Sequence, residues 1–186
     1  MASGTGRSTS IDVSFLDDLA GDARSRAGLL RALRDVTGAP GQDVFSASAD
    51  QILTLAEADA DRYVLVVRRE GQVAGVGVLH PGGASGEMLD RLDGARPQDV
   101  VVFRGFLVDR HHQGVGVGSS VAASLPALVA HLAERLGREP FASVVLVVDA
   151  DNVAGRRAYS RAGFADRGAY VDANGRTQHV MALAVA

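Results

Sequence analysis

Apolar residues alternate with polar ones, or run almost unbroken, in seven stretches that predict β-strands. The first stretch alternates, with Ile11, Val13 and Phe15 on one side. Two later stretches are joined by the short segment 69–72, which is the signal of a hairpin. The predicted strands are 11–15, 63–68, 73–79, 99–108, 143–148, 167–171 and 178–185. Because 143–148 is apolar at nearly every position, we expect that strand to be covered on both faces.

Helical spacing of apolar residues marks most of the segments between these strands. The first predicted helix contains Leu29, Leu30 and Leu33 and ends by Gly38 and Pro40, and the second is capped by Ser48, with Ile52, Leu53 and Leu55 on its inner face. A short helix is predicted over 86–92. A long helix contains Val121, Leu125, Val129 and Leu136, and the last predicted helix extends from the cap at 149–152 to Ala162. Pro126 lies inside the long helix and is expected to kink it, since it has no backbone N–H. Together these elements predict an α/β chain in which helices pack against a mixed sheet.

The length of 186 residues fits a single domain, which we expect over residues 11–186. The Gly/Ser/Thr-rich segment 1–10 has no apolar stretch of the kind found in signal peptides and is predicted to be a flexible tail. No run of about 18 uncharged apolar residues is found, so the sequence predicts no membrane span. The expected location is the cytoplasm.

Composition excludes several classes of chemistry. The chain has no Cys, and all 19 of its basic residues are Arg. Thiolate metal sites, cysteine nucleophiles and every lysine-dependent mechanism are therefore excluded. The absence of Trp and the net charge of −3 argue against nucleic acids and anionic membranes as partners.

A glycine-rich segment, Gln113–Ser119, joins a predicted strand to the long helix. Glycines let the backbone approach a ligand closely, and a helix N-terminus offers unpaired N–H groups, so this arrangement predicts a phosphate site. A Walker A loop needs a lysine, and a dinucleotide-binding fingerprint needs a glycine where Ser119 stands. Gln113, Gly116 and Gly118 match the pattern Gln/Arg-x-x-Gly-x-Gly/Ala instead, which resembles the pyrophosphate loop of the GNAT acyltransferase superfamily.

A second motif lies downstream in the order that the same superfamily shows. Asn152 follows a strand, Tyr159 comes seven positions later, and Gly163-Phe164 ends the helix. We expect Asn152 to cap the helix, Gly163 to end it in a left-handed conformation and Phe164 to fill the core. The resemblance covers the chain from about Val100 to its C-terminus, and the 63–79 hairpin fits the preceding strands of the family.

The resemblance implies a mostly antiparallel central sheet with helices on both faces. It implies an acetyl-CoA-dependent N-acetyltransferase in which the acceptor amine attacks the thioester directly and Tyr159 is the general acid. The strand before the loop should splay from its neighbour and leave backbone groups free as an oxyanion hole. The implied coenzyme-binding residues are Phe106, Leu107, Val108, Gln113, Gly114, Val115, Gly116, Val117, Gly118, Ser119, Asn152 and Arg156.

Arg104 departs from the family pattern, because many members carry a Glu at about this position as general base. Three interpretations stay open for it: it anchors an acidic group of the substrate, pairs with an internal carboxylate, or lies on the solvent face. His80 is then the candidate base, with Glu87 as a second choice. His111 and His112 are adjacent, so their side chains point apart and make a poor metal site, and we expect no metal.

The expected acceptor is a small-molecule amine, and a homodimer is possible. Two alternatives are an acyl-CoA-binding regulatory module without catalysis, and an acyltransferase with another donor or acceptor, such as aminoacyl-tRNA or a protein N-terminus. The missing carboxylate at Arg104 motivates the first of them, and the acidic pI near 5.9 argues against tRNA in the second.

Overall fold

The computed structural model describes residues 10–40 and 47–185, so the predicted tail lies outside the described residues except for Ser10. The strands are β1 (Ile11–Phe15), β2 (Tyr63–Arg69), β3 (Gln72–Pro81), β4 (Val100–Val108), β5 (Ser143–Asp149), β6 (Ala165–Val171) and β7 (Thr177–Ala184). The helices are α1 (Leu16–Leu19), α2 (Ala23–Arg34), α3 (Ala49–Glu57), α4 (Gly86–Leu89), α5 (Val117–Arg135) and α6 (Val153–Arg161). Short 3₁₀ turns at Pro97–Asp99 and Arg110–His112 flank β4.

The described strands form one seven-stranded sheet in the order β1-β2-β3-β4-β5-β7-β6. Only β4 and β5 run parallel, and every other neighbouring pair is antiparallel. This confirms the mixed, mostly antiparallel sheet that the resemblance implies. The β2–β3 turn has positive φ at Glu70 and Gly71, 53° and 82°, as a tight hairpin requires.

Helices cover both faces of the sheet. On the first face, α2 and α3 pack against residues of β2 and β3 such as Val66 and Val76. Further along this face, Met88 of α4 packs against β4, β5 and β7. On the second face, α5 lies across the sheet with its apolar stripe, including Leu125 and Val129, in the largest core cluster. Helix α6 lies on the same second face, where Tyr159 packs at the edge of that cluster.

Strands β4 and β5 separate part-way along their length. Their parallel pairing covers only Val100–Val102 opposite Ser143–Val145, although both strands continue further. Gly105 has a φ of 59°, and the pairing of β4 with β3 shifts by one residue beside it. A bulge of this kind bends a strand and increases its twist. The splay implied by the resemblance is therefore present, and it opens a wedge between the two strands.

Local sequence signals explain the ends of the helices. Ser48 and Gln51 form a reciprocal capping box at the start of α3. The buried residues of α3 are Ala49, Ile52, Leu53 and Ala56, whereas Leu55 is 52% exposed, so the prediction that Leu55 faces inward is wrong. The buried residues repeat at spacings of three and four, and Leu55 falls outside that stripe.

Helix α5 runs without interruption through Pro126. By length and composition it is the one helix in the described residues that could cross a membrane. Its buried residues, which include Leu125 and Leu132, instead pack into the core against the sheet. A core helix meets the same criterion of length and hydropathy, so the finding carries no membrane assignment.

Candidate active site

The glycine-rich loop and the start of α5 present a row of backbone N–H groups. Gly114 and Gly116 have φ values of 73° and 90°, which only glycine adopts readily. The first helical bond of α5 runs from Ser120 N to Gly116 O, at 3.0 Å, so the three amides before Ser120 have no acceptor within the helix. The loop is tied to the end of β4 because Gln113 Nε2 donates to Val108 O at 3.0 Å. The positive end of the helix dipole adds to the attraction of this site for an anion.

A cavity of about 500 Å³ lies between the end of β4 and the first turns of α5 and α6. We call it the loop-side cavity; it is lined by Phe106, Val108, Gly118, Asp151, Asn152, Val153, Ala154, Gly155, Ala158 and Tyr159. Asn152 caps α6 as predicted, because its Oδ1 accepts a hydrogen bond from Gly155 N at 2.9 Å. The cavity is therefore bordered by the starts of two helices.

A second cavity, of about 350 Å³, occupies the wedge between β4 and β5. We call it the cleft cavity; it is lined by Ala47, Met88, Val102, Phe103, Arg104, Gly105, Phe106, Leu146, Val147, Val148, Asp149, Asn152, Tyr159, Arg176 and Gln178. Three residues, Phe106, Asn152 and Tyr159, line both cavities. The two spaces therefore meet at the splay, one beside the helix N-termini and the other between the strands.

Tyr159 lies at this meeting point. It is seven residues after Asn152, about two helical turns along α6. Its ring packs edge-on against Phe164, with centroids 5.6 Å apart. Gly163, at a φ of 95°, ends α6 in the predicted left-handed conformation, and Phe164 is buried as expected. Burial raises the pKa of the Tyr159 hydroxyl well above its usual value, so the group keeps its proton at neutral pH.

Arg104 lies on the wall of the cleft cavity, on the first face of the sheet. Its Nη2 donates to Gly83 O at 2.6 Å, and its Nε is enclosed without a hydrogen-bond partner. Among the described residues no carboxylate lies within 4.0 Å of the guanidinium. Burial, and next the positive charge of Arg62, lower the pKa of Arg104, which remains a cation. Arg104 is thus partly buried and forms no ion pair with a carboxylate of the described residues, and its role in binding an acidic group stays a prediction.

His80 is near Arg104 but lines neither cavity. Its ring lies so close to Gly83 that a Cβ at that position would overlap it. Its Nε2 is 3.5 Å from Asp59 Oδ2, while its Nδ1 is buried without a partner in the described chain. Burial, and then the charge of Arg104, lower the pKa of His80, so the imidazole is neutral at neutral pH. The role of His80 as general base stays a prediction.

Two further residues have positions that the sequence did not indicate. Arg156 lies in a shallow depression on the outer side of α6, with its Nη2 3.6 Å from Asp166 Oδ2, and lines neither of the two cavities. Its contact with coenzyme A stays a prediction. Asp149, interpreted from sequence only as part of a helix cap, lines the cleft cavity with a side chain that is 9% exposed. Its Oδ2 is 3.1 Å from Arg176 Nε and its Oδ1 accepts from Asp151 N at 3.0 Å.

The sequence model of the acetyltransferase (GNAT) family matches residues 30–164, which is most of the chain. The chain belongs to the GNAT acetyltransferase family. The GNAT assignment accounts for the splayed β4 and β5 and for the position of the glycine loop before α5. No curated protein matches the chain significantly.

Solved GNAT structures share the fold at low sequence identity. The aminoglycoside acetyltransferase AAC(6')-Ib, in complex with coenzyme A and kanamycin, is 18% identical with a TM-score of 0.62, over 95% of both chains. A mutant of the spermidine N-acetyltransferase of Vibrio cholerae is 15% identical with a TM-score of 0.60, over 94% of both chains. The ribosomal-protein-S18-alanine N-acetyltransferase of Escherichia coli is 17% identical with a TM-score of 0.57, over 95% of both chains. At these identities the likeness establishes the fold.

Proposed function

We propose that this GNAT protein is an N-acetyltransferase that moves an acetyl group from acetyl-CoA to the amine of a small-molecule acceptor. The observation that carries the proposal is the meeting of two cavities at Tyr159, one bordered by unpaired helix amides and the other by charged side chains. Relatives of the same fold support it, because one is solved with coenzyme A and kanamycin and another is named for spermidine.

The residues on the loop side fit the chemistry of coenzyme A. Its diphosphate needs several hydrogen-bond donors, and the backbone from Gln113 through Ser119 offers them beside the positive end of α5. Its pantetheine arm is amphipathic, and the loop-side cavity combines apolar Phe106 and Val108 with the polar Asn152. Beyond Val102 the edge of β4 has no strand pairing with β5, so backbone groups of Phe106–Val108 on that side, other than Val108 O, are not bonded to β5.

Each residue has a definite part in the proposed transfer. When bound, acetyl-CoA supplies the thioester carbonyl carbon, where a C–N bond to the acceptor forms while the C–S bond breaks. Backbone N–H groups of Phe106–Val108 would stabilise the negative charge that develops on the carbonyl oxygen. Tyr159 holds a proton at its hydroxyl and would give it to the departing sulfur. The acceptor amine loses a proton as the C–N bond forms. His80, which is held neutral but lines neither cavity, would accept that proton through an intervening water.

A thiol-release assay tests this function. Purified protein, acetyl-CoA and a panel of small primary amines should release free coenzyme A only when protein and amine are both present. The acetylated amine should form in equal amount, measured by mass spectrometry. Tight binding of coenzyme A without acetyl transfer to any amine would contradict the proposal and favour the regulatory alternative.

A further inference from the structure

Arg104 is a cation without a compensating charge in the described part of the protein. Arg104 lines the cleft cavity, and the hydrogen bond of its guanidinium goes to a neutral carbonyl, Gly83 O. A partly buried charge that has no counter-ion destabilises a folded protein, because desolvation of the charge is not offset by an attraction. An anion that binds beside Arg104 would supply the missing attraction, and a guanidinium has the geometry to hold a carboxylate or a phosphate.

The groups around Arg104 do not neutralise it. Asp59 is the acidic residue that acts on it, but the Oδ2 of Asp59 is 3.0 Å from Arg62 Nε. In that ion pair the positive charge of Arg62 and the negative charge of Asp59 largely cancel, so Asp59 does not neutralise Arg104 as well. His80 is neutral at neutral pH, and the Tyr170 hydroxyl is protonated because burial raises its pKa. Within residues 10–40 and 47–185, one positive charge therefore remains uncompensated, and it borders the cleft cavity.

Resting on the proposed function, we propose that the acceptor carries an oxyanion group as well as its amine, and that Arg104 binds this group. A guanidinium binds a carboxylate or a phosphate through two parallel hydrogen bonds, which fixes the orientation of the acceptor. Tyr159, where the transfer is proposed to occur, lines the same cavity, so an acceptor held by Arg104 would present its amine to the thioester there. The volume of about 350 Å³ accommodates a compact molecule, such as an amino acid.

Matched pairs of acceptors test the proposal through activity. Each amino acid is compared with its α-amide, in which a neutral carboxamide of similar size replaces the carboxylate, and O-phosphoethanolamine is compared with ethanolamine. We expect the anionic member of at least one pair to have a kcat/KM at least tenfold higher. A preference confined to O-phosphoethanolamine would identify the oxyanion as a phosphate, and a preference for amino acids would identify it as a carboxylate. Equal or better acetylation of every neutral member would overturn the inference.

The variant Arg104→Gln locates the effect. We expect it to raise the KM for the anionic acceptor at least tenfold and to leave the KM for acetyl-CoA and for the neutral acceptor unchanged. Arg104→Lys keeps the charge but loses the planar fork, so it should be intermediate. Arg24→Gln, at an exposed position on α2, is the matched control and should behave like the wild type.

A binding measurement separates this inference from the proposed function. N-acetylglycine and its neutral analogue N-acetylglycinamide serve as probes in thermal unfolding with coenzyme A present. N-acetylglycine should raise the melting temperature of the wild type but not of Arg104→Gln, and N-acetylglycinamide should raise neither. If N-acetylglycine stabilises only the wild type but no amine is acetylated, the proposed function is contradicted and the inference of an anion site at Arg104 stands. If acetyl transfer to amines is observed but the two probes have the same effect on the melting temperature, the proposed function stands and the anion site is contradicted.

Discussion

Tyr159 is the residue at which the donor and acceptor sides of the proposed reaction meet. It borders both cavities, and burial keeps its hydroxyl protonated. A proton donor suits a leaving thiolate only if it retains its proton until the C–S bond breaks. The ring packs on Phe164, so the hydroxyl can be removed without removing that contact.

We expect Tyr159→Phe to lower kcat about 100-fold or more, since a positioned general acid typically contributes that much. The affinity for coenzyme A should stay within a factor of about three, because the phenyl ring still lines the cavities. Steady-state kinetics and calorimetry measure the two quantities. Tyr63→Phe is the control, since Tyr63 borders neither cavity, and it should retain wild-type turnover. Unchanged kcat in Tyr159→Phe would remove Tyr159 as the acid.

His80 gives a pH dependence with a definite sign. Its pKa in the folded protein is lowered, first by burial and then by Arg104, so the unfolded chain binds a proton more readily. The stability that neutral His80 contributes is present above its unfolded pKa of about 6.5 and is lost as the pH falls through the folded pKa. Thermal unfolding from pH 8 to pH 5 should therefore show a steeper decline for the wild type than for His80→Gln. If the melting temperatures of the two proteins fall in parallel as the pH is lowered, the lowered pKa of His80 is contradicted.

The glycine loop and helix α5 form the element on which the donor site depends. Gly116 begins α5 at a φ of 90°, and an added Cβ there would meet no other atom within 4 Å. Gly71 in the β2–β3 turn, at a φ of 82°, is equally open. The two positions share the same backbone requirement, but only Gly116 belongs to the proposed binding loop.

Substitution of Gly116 and of Gly71 by Ala gives a matched test of whether the glycine loop binds coenzyme A. Gly116→Ala and Gly71→Ala should each destabilise the protein by about 1–2 kcal/mol, because both place a Cβ in a left-handed conformation. Gly116→Ala should also weaken coenzyme A binding about tenfold or more, as its Cβ stands where the diphosphate approaches. Gly71→Ala should bind as the wild type does. Denaturant unfolding and calorimetry measure these effects, and equal affinities would contradict the assignment of the loop.

Among the helices and strands, those whose formation depends on nearby residues are predicted from the sequence. The seven strands, the cap at Ser48 and the left-handed end of α6 at Gly163 are visible because each depends on residues a few positions apart. Helix α1 has only four residues, too few to show a helical period, and it was not predicted. Leu55 was assigned to the wrong face because a run of apolar residues leaves the buried stripe of a short helix ambiguous.

The candidate site is only partly predictable, because it forms between segments that are distant in sequence. The loop at Gln113 and the motif from Asn152 to Tyr159 are local patterns and could be identified from the residues alone. The place of Asp149 in the cleft cavity, and of His80 outside it, depends on where β4 leaves β5. The charge balance around Arg104 likewise depends on Asp59 and Arg62 from another part of the chain.

For the whole molecule, the overall charge of −3 does not draw a polyphosphate ligand to the protein. Attraction has to come from a local arrangement, and the start of α5 supplies one through its unpaired amides and its dipole. The splay of two strands then places a ligand held there beside the cleft cavity. The central claim is that this local site holds the diphosphate of coenzyme A.

Calorimetric titration with coenzyme A and with pantetheine, which lacks the diphosphate and nucleotide, tests that claim most directly. We expect coenzyme A to bind with a dissociation constant at least 100-fold lower than that of pantetheine. We also expect Gly116→Ala to reduce this difference, because the diphosphate accounts for a large part of it. Equal affinities for the two ligands, or no heat with coenzyme A at all, would contradict the account.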